Sequence, residues 1–234
     1  MNKMIISGEL TINGIGGAAG GRYSRVDING VGTLNGDIEA DTFRSNGHLK
    51  ARGSIVANRL QSDGTMRIDG SLRTEHGRVN GTVKVKESVT GELLEMHGIL
   101  TIADDCELEH LKLHGVFTIG GLLNAGRLDL DIFARCQARE IGGEIIRVRK
   151  TSGGKWKNLW KRLIPAFVPE LHVSVVEGDD IELEATTASI VRGKRIIIGK
   201  GCSIGRVEYS EQLQVLPGAK VGEEININGN SSFA

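Results

Sequence analysis

VDINGVGTLNG, residues 26–36, sets Gly30 and Gly36 among aliphatics at alternate positions. SNGHLKARG (45–53) repeats the arrangement with Gly47 and Gly53, and SDGTMRIDG (62–70) repeats it with Gly64 and Gly70. The interval is 17 residues, and the first glycine recurs in phase at 81, 98 and 115. Other columns keep that phase. Two residues before the glycine stand Ile28, Ser45, Ser62, Val79, Met96 and Leu113. Four residues after it stand Leu34, Ala51, Ile68, Val85, Ile102 and Ile119, and eight after it Ile38, Ile55, Leu72, Val89, Cys106 and Leu123. Several columns agreeing on one period mark a repeat architecture.

Within a unit, apolar and polar residues alternate, as in Thr65-Met66-Arg67-Ile68-Asp69. That is the period of a strand with one buried face, and no helical spacing competes with it. Seventeen residues suit one turn of a coil made of two or three short strands, stacked on the next at about 4.8 Å. The expected fold is therefore all-β, a parallel β-helix with aliphatic columns inside. Asn29, Asn46, Asp63, Asn80, His97 and His114 precede the first glycine of each unit. Asn and Asp tolerate left-handed angles and glycine supplies positive φ, so this column is read as a corner.

Coils are expected over 1–146 and 171–222. ISGELTINGIG (6–16) matches INGVGTLNGDI (28–38) at an interval of 22, which makes residues 16–24 an expanded Gly-rich loop. IIIGKGCSIG (196–205) matches LQVLPGAKVG (213–222), pairing Ile198 with Val215, Gly201 with Gly218 and Ile204 with Val221. Ile181 and Thr187 fit one coil earlier, Cys136 falls 17 after Ile119, and residues 223–234 read as a flexible tail. About ten coils would form a rod of about 50 Å. Each end of such a rod presents unpaired backbone and an uncovered apolar layer. Ile6, Leu10 and Ile12 are expected to line one end, and Leu213, Val215 and Val221 the other; these are the candidate polymer contacts.

Residues 147–170 interrupt the period. Trp156, Leu159, Trp160, Leu163 and Ile164 form the apolar stripe of a short amphipathic helix ended by Pro165. Seven basic residues and no acid lie between 145 and 169. Lys155, Trp156, Lys157, Trp160, Lys161 and Arg162 are the candidate membrane-docking or partner-docking residues. The alternative is that the stripe packs on the rod, with Glu177, Asp179, Asp180, Glu182 and Glu184 neutralising the charges.

Twenty-nine basic and 29 acidic residues cancel, so no global field attracts nucleic acid. Three cysteines suit reduced thiols and a cytoplasmic setting, and no apolar run reads as a signal or a membrane span. GCSIG (201–205) has the letters of a hydrolase elbow, but it shares its frame with GAKVG (218–222) and no histidine follows. GIGGAA (14–19) lacks the helix a dinucleotide fingerprint needs. Cys106, His110 and His114, with His97, resemble a zinc set, yet Cys106 occupies a core column. No catalytic residue, cofactor site or metal site is assigned, and the chain is not read as an enzyme.

Units such as Met66-Arg67-Ile68-Asp69-Gly70-Ser71-Leu72, and the stretch 181–221, resemble the bactofilins, bacterial polymer-forming cytoskeletal proteins. The resemblance covers most of residues 5–222. It implies a right-handed β-helix that polymerises end to end without nucleotide, with copies of itself or a paralogous bactofilin. It further implies scaffolds in the cytoplasm, peripheral at the inner membrane face, serving cell shape, envelope assembly or motility. The Met1–Ile6 start reads either as a membrane-targeting tip, as in some relatives, or as the first strand. The chain departs from the pattern in its length, its basic insertion and its lack of proline-rich tails. Two other classes are set against this reading. A left-handed β-helix acyltransferase prefers coils of 18 and a catalytic histidine, and a carbohydrate-binding or carbohydrate-cleaving β-helix needs clustered acids or exposed aromatics.

Overall fold

The computed structural model describes residues 8–151 and 168–228. The chain is a parallel β-solenoid, and no helix occurs among the described residues. Its strands are β1 (Glu9–Ala51), β2 (Ile55–Ile68), β3 (Leu72–Val85), β4 (Val89–Ile102) and β5 (Cys106–Ile132). They continue as β6 (Arg135–Lys150), β7 (Glu170–Leu183), β8 (Thr186–Ile198), β9 (Ser203–Val215) and β10 (Lys220–Asn226). They form one sheet in chain order. β2, β3 and β4, of 14 residues each, bend through most of a turn, whereas β1 and β5 continue through more than one.

A turn has three flat runs, seen in Ile55–Ala57, Leu60–Ser62 and Met66–Ile68, where alternate residues are buried. Call the edges between them first (58–59), second (63–65) and third (69–71). Ile38, Ile55, Leu72, Val89 and Cys106 stack as a single column, each at most 1% exposed. Burying an aliphatic side chain contributes about 1.5–3 kcal/mol, and only the adjacent turns supply the cover.

The second edge carries the glycines that mark the repeat. Gly47 has φ +120°, and a Cβ there would lie 2.2 Å from the Gly30 carbonyl oxygen. Only glycine lets successive backbones stack so closely in that conformation. Beside it the side chains form an amide ladder. Asn46 Nδ2 donates to Asn29 Oδ1 at 3.0 Å, Asn29 Nδ2 to Asn13 Oδ1 at 3.1 Å, and Asn80 Nδ2 to Asp63 Oδ1 at 2.8 Å.

The interval of 17 holds from Ile38 to Ile102 and its partner Ile119, then varies. Thr118 pairs with Gln137, Leu123 with Ile141, Val176 with Val191, and Val191 with Val207, intervals of 19, 18, 15 and 16. Cys136 pairs with Leu171 and Val148 with Leu183. The chain between β6 and β7 therefore leaves and rejoins the solenoid at the second edge.

Several sequence expectations are corrected. Residues 16–24 are not a loop, because β1 runs unbroken from Glu9 to Ala51. The Asn29–Asn13 bond places the first turn at an interval of 16, not 22. Glycines suit this stretch because the backbones nearly touch; a Cβ on Gly20 would lie 2.6 Å from the Asp37 carbonyl oxygen. Cys136 stacks beside Phe117, whose N–H donates to its Sγ at 3.4 Å, and Ile119 pairs with Ala138. Ile181 pairs with Ile196 and Thr187 with Ser203. The interruption begins later than 147, since β6 reaches Lys150, and the tail begins later than 223, since β10 reaches Asn226. The helix expected over 155–164 lies outside the described residues.

Candidate assembly surfaces

Val215 stacks on Ile198 in one column, yet Val215 is 39% exposed and Ile198 0%. Both are β-branched aliphatics; the difference is that no further turn among the described residues covers Val215. Leu213 and Val221 are likewise half-buried, and both pack against the core. β10 pairs with β9 along one side and with no other described strand. Leu216 and Ile227, at 36% and 52% exposure, extend this apolar end layer. Unpaired strand backbone over half-open aliphatics is a template for another strand.

The other end is more closed. Ile12 is buried and Leu10 half-buried, while Ile15 stands 89% exposed beside them. Ile6 lies outside the described residues. The structure thus gathers Leu10 with Ile12 and Leu213 with Val215 on matching runs, but at opposite ends of the solenoid. Ile15, Leu216 and Ile227 were not singled out from sequence. The alternation Ile225-Asn226-Ile227 was a strand signal for the last of them. Lys155, Trp156, Lys157, Trp160, Lys161 and Arg162 lie outside the described residues.

Charges on the flanks run across turns. Glu95 accepts from Arg78 at 3.0 Å and Lys112 at 3.4 Å, joining three successive turns. The Arg78 hydrogen bond, with Lys112 adding to it, holds the Glu95 carboxyl below its ordinary range. Arg195 similarly spans Asp180 and Glu211, and its hydrogen bond lowers the Asp180 pKa.

The residues with chemical potential are dispersed. Burial pushes the Cys106 thiol up to about 12 and the Cys136 thiol up to about 11, so neither presents a thiolate nucleophile near neutrality. Cys202 is buried too, its thiol directed to the Leu183 carbonyl at 3.3 Å. Cys106 points into the core from the first run, His110 lies at the first edge and His114 at the second. His97 and His114 stack with ring centroids 6.1 Å apart. Among the described residues, no three His, Cys, Asp or Glu side chains are grouped to hold a metal ion. Ser203 opens β9 in register with Lys220, and Gly14–Ala19 lies within β1.

Two Bacillus subtilis proteins are similar in sequence. The uncharacterized protein YhbE is 56% identical over 231 residues, covering 91% of this chain and 95% of YhbE. The uncharacterized protein YhbF is 35% identical over 108 residues, covering 46% of this chain; the match spans only 42% of YhbF. No family model matches the chain, and no solved structure matches it.

Proposed function

We propose that this chain, which belongs to the same family as Bacillus subtilis YhbE, is a non-enzymatic scaffold of the bactofilin type that assembles with copies of itself through its ends. The observation that supports this most is the C-terminal layer that no described residue covers. In a solenoid, covering that layer with another turn is how every interior turn is stabilised. A second copy supplies such a turn, and repeated stacking yields an open polymer. Near-zero net charge removes a long-range barrier to it. On this reading the polymer forms without nucleotide and works in the cytoplasm, at the inner face of the membrane. Its envelope, shape or motility partners are then recruited along its flanks.

Electron microscopy and sedimentation of the purified chain, without nucleotide, test the proposal. Filaments are expected, and Val215→Arg is expected to abolish end-to-end filaments with an unchanged far-UV spectrum. A monodisperse monomer at high protein concentration would overturn the reading.

A further inference from the structure

The C-terminal half carries a groove of about 870 Å³ along its first run. Its floor is backbone: Gly143, Gly178 and Gly193 stack at the inward position that Ala57 holds earlier. The lack of side chains there lets the wall recede. Along one side, at the first edge, stand Glu109, Glu144 and Asp179. Asp179 pairs with Lys194 at 2.9 Å, so the uncompensated charge is carried chiefly by Glu109 and Glu144. The opposite side is apolar in part, with Leu122 and Val175, and Ile227 closes the terminal end. The groove therefore offers carboxylates facing a side on which the apolar Leu122 and Val175 flank Glu140.

One segment of this chain has the complementary chemistry. Residues 152–167 contain Lys155, Lys157, Lys161 and Arg162, no acid, and both tryptophans of the protein. Sixteen residues span about 24 Å if helical, and five steps of about 4.8 Å give the same length. The segment leaves the solenoid at the second edge, whereas the groove runs along the first run, on the opposite side of a three-sided cross-section. Its described flanks, Lys150 and Val168, thus lie across the cross-section from the groove of their own molecule, which favours the groove of a neighbour as the docking site.

We propose that the glycine-floored groove receives residues 152–167 of a second copy, lysines and arginine against Glu109 and Glu144, tryptophans against Leu122 and Val175. This contact is lateral, side to side, and does not require the end contacts proposed above.

Because both tryptophans lie in the segment, tryptophan emission excited selectively over that of Tyr23 and Tyr209 reports on it alone. The titration uses the Val215→Arg background, to separate lateral from end contacts. A concentration-dependent shift of emission to shorter wavelength is expected. Glu109→Lys with Glu144→Lys is expected to raise the half-point at least tenfold. Glu75→Lys with Glu92→Lys, on the same edge outside the groove, is expected to leave it unchanged. Adding Lys157→Glu and Lys161→Glu to the groove variant is expected to restore docking, which misfolding could not mimic. Emission that does not depend on concentration, or a half-point indifferent to the groove charges, overturns the proposal. So does a shift seen only with anionic phosphatidylglycerol vesicles, which would make a membrane the occupant. Microscopy separates the two readings: filaments that form while the emission transition is absent sink only the groove contact. An emission transition without filaments sinks only the end stacking.

Discussion

Residues 26–119 and residues 120–228 build the same three-sided coil by different means. The first half keeps its interval at 17, stacks glycine on glycine at the second edge, and joins its turns there through amide side chains. In the second half the interval wanders between 15 and 19, apart from the longer chain between β6 and β7. Its turns are linked by charged pairs such as Arg195 with Asp180 and Lys194 with Asp179. Yet Leu123, Ile141, Val176, Val191 and Val207 continue the buried column begun by Ile38, none above 1% exposure. Apolar burial conserves the columns, and the edges absorb every change in length. Strict spacing is a property of edges packed backbone to backbone, not of the core.

The largest expected difference between the halves lies at their edge glycines. A Cβ on Gly64, at φ +126°, would lie 2.3 Å from the Gly47 carbonyl oxygen, so the turns must separate. Gly64→Ala is expected to cost about 3 kcal/mol or more, strain and overpacking together. Gly218 has φ +89° and meets only the flexible Lys200 side chain, at 3.2 Å. Gly218→Ala is expected to cost about 1 kcal/mol, the ordinary penalty of a left-handed alanine. Urea unfolding followed by circular dichroism measures both. Equal losses would mean that the two edges are built alike after all.

The same contrast explains how much was legible beforehand. Cys106 is placed correctly in the core from sequence because a constant interval makes a residue inherit its column, and Ser45 and Ser62, in the column of Ile28, are buried for the same reason. Cys136 is buried, as its column required, but lies beside Phe117 rather than Ile119, because two extra residues enter at the second edge. In the first turn, Ile12-Asn13-Gly14 matches Ile28-Asn29-Gly30 at 16, while the neighbouring I-x-G-x pattern matches at 22. Local similarity cannot choose between these; backbone packing of the glycines can. The end layers are less legible still. Val215 and Ile198 occupy equivalent sites in similar sequences, and their exposure differs because no described turn covers Val215. Exposure there is a property of the stack, not of the residue.

A smaller effect is expected where the second half departs from the glycine rule. Ala185 is the sole non-glycine with positive φ among the described residues, at +47°. It occupies the second edge, in the place that Gly201 and Gly218 take in the following turns. Left-handed alanine costs about 1 kcal/mol, and glycine returns part of the gain through its freer unfolded chain. Ala185→Gly is therefore expected to raise stability by about 0.5 kcal/mol, seen as a higher urea midpoint at constant slope. A lower midpoint would show that the methyl group, which is buried, contributes more by packing than the backbone loses by strain.

The last difference is one of pH, and its sign follows from the carboxylates. Asp180 and Glu95 have folded pKa values below their ordinary range, set by hydrogen bonds from Arg195 and Arg78 respectively. Carboxylates lowered in this way bind fewer protons folded than unfolded between the two values. Their contribution is complete above the ordinary carboxylate range and is lost as pH falls through the depressed values. The groups are exposed, so each contribution is small and screened by salt. In the second half, however, such pairs recur on successive turns, whereas the first half also has Asn46–Asn29 and Asn29–Asn13, amide bonds that do not titrate. Acid is therefore expected to loosen residues 170–228 before residues 26–119. Hydrogen exchange read by mass spectrometry, stepped downward from pH 5 at low salt, should lose protection first in β8 and β9. Asp180→Asn should flatten that acid limb, and 1 M NaCl should narrow the gap between the halves. Simultaneous loss across both halves would mean that the shared aliphatic columns make the solenoid a single cooperative unit, in which edge chemistry changes the stability of the whole and not the order of opening.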